Sequence, residues 1–214
     1  MQLVVGLVYV LPLWLTGLRK APSLSVEDIK KLFPVTVCHA LTHIGAIISL
    51  GAGAVSFTHI VKAAEPAASA ALSAVFLKSF LPIPVYLTLL PVIGGVALAS
   101  LGELSFSWLA FNSAMVSNVA SASRGVVGKS VLKNPPGKNM NAVNLYGVMT
   151  ILSALLLAPF TLAIEGSQIV PTLNAMKAGG TFNTFATNSF LSAITYYLYN
   201  EVAFLALDSV APVI

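Results

Sequence analysis

Ser56-Phe57-Thr58-His59-Ile60-Val61-Lys62-Ala63-Ala64-Glu65-Pro66 sets a histidine, a lysine, a glutamate and a proline inside a long apolar run. An ionisable side chain at membrane depth costs about 2.5–3.5 kcal/mol on insertion scales, so such a residue usually faces an internal cavity and carries function. Lys62 is the strongest candidate. Its ammonium has no acceptor and offers up to three donors, which suits the oxygens of an anionic ligand such as phosphate. Glu65, three residues on, is the rival partner, because a Lys–Glu pair at that spacing can simply neutralise itself on a helix. Both readings are open at this point.

The surrounding composition fixes the solvent. Of 214 residues, 57% are hydrophobic and only 8% charged, with a mean hydropathy of +0.90. Soluble domains carry about 25% charged residues. So much apolar surface exceeds what one globular core hides, and lipid must cover much of it. The net charge of +4 does not indicate nucleic acid, since the basic residues fall between apolar segments rather than on one face with aromatic platforms. Cys38 is the single cysteine and can form no internal disulfide.

Seven segments are long and apolar enough to span, or nearly span, a bilayer: 1–18, 32–50, 54–77, 81–99, 104–123, 142–164 and 186–207. A backbone in lipid must satisfy its own hydrogen bonds, so the expected fold is all-α, a polytopic membrane helix bundle of about seven transmembrane helices. The first segment lacks the basic start and small-residue cleavage site of a signal peptide and reads as a helix clipped at its start. The uncharged turn at Gly51–Gly53 predicts a close hairpin of the second and third helices. Pro66 should interrupt the third just after Lys62, and Pro82, Pro84, Pro91 and Gly94-Gly95 punctuate the fourth. With every segment crossing, loops 19–31, 78 and 124–141 share a side and hold nine basic residues, against Lys177 alone in loop 165–185. That asymmetry follows the positive-inside rule and supports the seven-crossing path.

No hydrolase or kinase constellation is present, and neither enzymatic activity nor a cofactor is expected. Gly125 to Gly128-Lys129-Ser130 lacks the spacing of a phosphate loop. His39 and His43 stand at i, i+4 on one helix face, a spacing that can ligate a metal. With no carboxylate or further histidine near them in sequence, they read instead as polar donors pointing into the bundle. Tyr196, Tyr197, Tyr199, Asn200 and Glu201 form a polar aromatic group in the middle of the last segment. They fit an interfacial belt or a cavity lining. Asn112, Ser113, Ser117 and Asn118 fit either a wet cavity or interhelical hydrogen bonding.

Ala54 to Pro66 resembles the signature run of plastid sugar-phosphate/phosphate translocators, members of the drug/metabolite transporter superfamily. Cys38-His39-Ala40-Leu41 with His43, Ser117-Asn118 with Arg124, Leu198 to Ala203, and Ser209 to Val213 match in the same order. The resemblance implies a ten-helix fold of two inverted five-helix repeats with substrate held at mid-membrane between them. It implies exchange of inorganic phosphate for a phosphorylated three-, five- or six-carbon metabolite such as triose phosphate. The expected partners are that small anion, phosphate and the lipid bilayer, with no nucleic acid. Lys62 would hold the phosphate with a Lys-Arg pair from the family's ninth helix, while His43, Tyr199 and Arg124 contact the rest of the ligand. The multi-pass protein is expected in the plastid inner envelope membrane.

The sequence also departs from the family pattern. The first segment aligns with the family's second helix, and Val213-Ile214 comes before its last two. Residues 1–214 are therefore expected to be an incomplete sugar-phosphate transporter domain. Ala46 stands where many relatives carry a polar side chain, Ser121 replaces an aromatic, and the basic pair after Arg124 is reduced to Lys129. Two alternatives stay open: a carrier of nucleotide-sugars or another metabolite, and a non-transporting fragment or assembly subunit.

Overall fold

The computed structural model describes residues 2–78, 80–104 and 106–209. Among them lie eight helices: α1 (Gln2–Leu15), α2 (Val26–Ala52), α3 (Val55–Lys62), α4 (Glu65–Phe76), α5 (Ile83–Gly102), α6 (Trp108–Lys133), α7 (Ala142–Ala178) and α8 (Phe182–Ser209). The chain is an all-α polytopic membrane bundle. α2, α5, α7 and α8 are long and apolar enough to cross a bilayer. Met1 and the end of the Ser209–Val213 motif, Val210 onward, lie outside the described residues.

The chain divides into two compact units. One comprises residues 1–32 and 135–209, and the other residues 33–134. The first is built from α1, α7 and α8, which pack on one another. Close approach depends on small residues. A Cβ on Gly6 would lie 2.7 Å from the Tyr197 ring, and one on Gly147 would lie 3.3 Å from Trp14. Tyr197 also meets the rings of Tyr9 and Tyr146 at 5.1 and 5.0 Å. Trp14 Nε1 donates to Asn144 Oδ1 at 3.0 Å, and Asn144 Nδ2 donates to the carbonyls of Lys20 and Asn139. Ser25 and Asp28 bond reciprocally and start α2, a capping box with aspartate in the glutamate position.

The second unit carries the rest of α2 with α3 to α6. Its closest packing follows a stripe of small residues on α6 at 110, 114, 117 and 121, all buried. These positions share one helix face and let backbones approach. A Cβ on Gly45 of α2 would lie 2.7 Å from the Ser113 carbonyl. The expected α2–α3 hairpin is present: Thr58 donates to Ser49 Oγ, which itself donates to the Ala110 carbonyl, both at 2.8 Å. α5 is the opposite case. Val96 is its buried residue among those described, and most of its side chains face outward.

Three loop expectations are corrected. Lys30 and Lys31 belong to α2, not to a loop. Arg124, Lys129 and Lys133 belong to α6, because Gly125 and Gly128 do not stop it. It ends only at Asn134, ahead of Pro135-Pro136, where the residue before a proline is driven out of helical geometry. Residues 165–178 extend α7 to 37 residues, and the loop shrinks to a turn at Gly179–Thr181. Gly180, at φ +69°, makes that turn, since positive φ is open to glycine at little cost. The third expected crossing is broken as anticipated, into α3 and α4.

Candidate functional site

The break between α3 and α4 creates the site. Pro66 has no N–H, so a continuous helix would leave the Lys62 carbonyl unmet. The chain instead closes α3 at Lys62 with short-range bonds and restarts at Glu65, with Pro66 in the tolerated first turn. Lys62 thus stands in the last turn of α3 and Glu65 in the first turn of α4. Each charge has the sign that its helix end favours.

Two hydrogen-bond chains run from this break. Lys62 Nζ donates to Ser117 Oγ at 2.9 Å, and Ser117 donates onward to the Thr42 carbonyl at 2.8 Å. Arg124 Nη2 donates to Ser121 Oγ at 3.2 Å, and Ser121 donates to Glu65 Oε1 at 2.5 Å. The two meet where Lys62 Nζ lies 3.8 Å from Glu65 Oε2. Each serine has one proton to give, so its direction is fixed by its acceptor, and both chains are charge-assisted at their head. Ser117, Ser121 and Arg124 follow i, i+4, i+7 spacing on α6, which is why one helix face serves the whole network.

Arg124 also reaches α2, where Nη1 lies 3.1 Å from His39 Nδ1. A guanidinium only donates, so Nδ1 accepts and the ring proton sits on Nε2. His39 meets His43 edge to face at 4.8 Å between centroids, and both rings are buried, as expected of polar groups pointing inward. The network holds two fixed cations, Lys62 and Arg124, against one carboxylate, Glu65. The Lys62 side chain is 25% exposed and so remains partly open to a ligand. Two cations against one anion leave the network with one net positive charge, in a site where partial burial strengthens charge interactions.

The structure therefore brings together Lys62, Arg124 and, through His39, His43. Tyr199 belongs to α8 in the other unit, where the residue is 71% exposed. The structure shows the Lys62–Glu65 pairing at 3.8 Å, with Ser117 as the direct hydrogen-bond partner of the ammonium. Sequence reasoning missed Ser121, read as a lost aromatic, which joins Arg124 to Glu65. It also missed the pairing of Arg19 with Glu201, whose Nη2 and Oε1 lie 2.5 Å apart across 182 residues of sequence. The signal available for Ser121 was its i, i+4 relation to Ser117 and its place one turn before Arg124. No local signal marks Arg19.

The model of the Triose-phosphate Transporter family matches residues 1–214. The chain is 41% identical to the triose phosphate/phosphate translocator, chloroplastic, of Pisum sativum over 212 residues, 99% of this chain and 52% of that protein. It is 40% identical to the phosphoenolpyruvate/phosphate translocator 1, chloroplastic, of Oryza sativa subsp. japonica, covering 99% and 52%. It is 38% identical to the glucose-6-phosphate/phosphate translocator 2, chloroplastic, of Arabidopsis thaliana, covering 99% and 54%. The chain spans about half the length of these curated relatives.

Proposed function

The chain belongs to the Triose-phosphate Transporter family, and we propose that it works as part of a secondary transporter rather than an enzyme. The transporter exchanges inorganic phosphate for a phosphorylated C3, C5 or C6 metabolite, such as triose phosphate, by alternating access in the plastid inner envelope membrane. The observation that carries this reading is the Lys62 ammonium, held at a helix break inside a network with one net positive charge. An anion entering there neutralises that charge and accepts donors already aimed inward, with no ordering left to pay for.

In this reading Lys62 binds the phosphoryl oxygens and Arg124 supplies the second cation. His43 contacts the remainder of the ligand, and Tyr199 offers an exposed phenol on α8. Exchange is obligatory because the site changes access only when its excess charge is neutralised. Uptake of labelled phosphate into liposomes preloaded with triose phosphate tests this. Uptake that needs internal substrate and falls about 10- to 100-fold in Lys62→Ala is expected, the loss of one charge-assisted hydrogen bond. Equal uptake by Lys62→Ala would remove Lys62 from the site, and rapid efflux into substrate-free buffer would reject obligatory exchange.

A further inference from the structure

Asn118 of α6 lies beside the two hydrogen-bond chains but belongs to neither. It is fully buried, and its Nδ2 donates to the Val61 carbonyl at 2.8 Å. Only the amide nitrogen can serve a carbonyl, so the orientation of the side chain is fixed by chemistry. Val61 is the residue before Lys62, and its carbonyl is one of those the break displaces. In an unbroken helix it would accept from Glu65 N. Here it accepts from Ala64 N, one residue early, at 3.1 Å. Asn118 supplies its second donor.

The remainder of Asn118 costs stability. Its Oδ1 is buried and meets no hydrogen-bond partner among the described residues. A buried carbonyl left unmatched is unfavourable, and an apolar residue of the same volume would avoid that penalty. The amide therefore contributes nothing to packing that leucine would not, except the bond to Val61. Three neighbouring α6 side chains each take one element of the break: Ser117 the Lys62 ammonium, Asn118 the Val61 carbonyl and Ser121 the Glu65 carboxylate.

We propose that Asn118 is a positioning residue: by holding the Val61 carbonyl it fixes the turn between α3 and α4, and so sets where the Lys62 ammonium points. The inference rests on the phosphate-binding reading of Lys62 given above. Without Asn118 the turn is free to tighten or rewind, Lys62 loses its aim, and affinity for phosphate falls while the bundle stays folded.

The test uses the 214-residue chain in lipid nanodiscs, with inorganic phosphate as the probe. Three quantities are read: the dissociation constant, the thermal midpoint, and backbone hydrogen exchange over residues 61–68. Asn118→Leu should weaken phosphate binding about tenfold, leave the midpoint unchanged or higher, and speed exchange in 61–68 alone. Pro66→Ala, which restores the missing N–H, should weaken binding similarly. The double variant should then be no weaker than either single one, because both act through the same turn. Unchanged affinity in Asn118→Leu, or additive losses in the double variant, would overturn the proposal. If Asn118→Leu does not fold, the same comparison is made with Asn118→Ser, which stays polar but cannot reach Val61. Lys62→Ala separates the two levels. If it binds phosphate as well as wild type, the binding reading itself has failed. If it does not bind and Asn118→Leu binds with wild-type affinity, only the role of Asn118 has.

Discussion

Glu65 and Arg19 are the two residues at which charge decides most. Glu65 is the one carboxylate in a network that otherwise holds Lys62 and Arg124. Replacing it by glutamine keeps an acceptor for Ser121 but doubles the net positive charge. An anion then gains roughly 1 kcal/mol or more at an effective dielectric constant near 20. Glu65→Gln should therefore bind phosphate several-fold more tightly, measured by equilibrium binding, and weaker binding would show that Glu65 orders the cations rather than competing for them. Arg19 matters to stability instead. Its partner Glu201 is 7% exposed, and Arg19→Ala would leave that carboxylate buried without its cation. Removing one partner of a buried pair costs about 3–5 kcal/mol. Arg19 is partly exposed, which places the loss near the lower end, read as a fall in the thermal midpoint. Arg19→Ala with Glu201→Leu should recover most of it. Lys62 was legible in the sequence because a charge in an apolar run has few explanations. Arg19 was not, since its partner is 182 residues away and a lone arginine after a helix looks like any loop cation.

Among the elements, α2 and α6 approach closely at Gly45, and that approach puts Thr42 within reach of Ser117 and His39 within reach of Arg124. Gly45 is what permits it. A Cβ there would meet the Ser113 carbonyl at 2.7 Å and the Ser117 backbone nitrogen at 3.0 Å, both rigid atoms. Gly45→Ala should push the helices apart and cost about 1–3 kcal/mol, with phosphate affinity falling as Ser117 withdraws. Gly51, in the same helix, has nothing within 4 Å of a Cβ. Gly51→Ala should be neutral or slightly stabilising in the same melting experiment, since alanine is the better helix former. If both glycines respond alike, the close contact is not what Gly45 provides. The broken third crossing was legible because proline has a single backbone consequence. The ends of α6 and α7 were not. A basic, glycine-containing stretch from Arg124 to Lys129 and a polar one from Glu165 to Lys177 look like loops when apolar length is the only guide. Both are helical because no proline pair or left-handed glycine stops them until Pro135 and Gly180.

At the scale of the whole molecule, the bilayer sets a length that α7 exceeds. Its 37 residues extend about 55 Å at 1.5 Å per residue, whereas a hydrocarbon core is about 30 Å thick. Residues 142–164 are its apolar part, and the remainder carries Glu165, Ser167, Gln168 and Lys177. With α7 crossing, the polar part is expected to project into water on the side opposite Lys138, which sits just before the helix begins. This also restates the charge asymmetry along the chain. Arg124 is drawn into the α2–α6 network and no longer counts as a loop charge, yet Arg19, Lys20, Lys30, Lys31, Lys78, Lys129, Lys133 and Lys138 still outnumber Lys177. The bias survives the correction of the loops because it rests on where helices end rather than on loop length. Cys38 is the only native thiol, so a Cys38→Ser background isolates any introduced cysteine. In sealed vesicles, a membrane-impermeant maleimide should label Lys138→Cys from one face only. Lys177→Cys and Gln168→Cys should label from the other face only. Labelling of positions 138 and 177 from the same face would mean that α7 does not cross. Labelling of 177 but not of 168 would mean that the extension lies within the bilayer at a tilt instead of projecting from it.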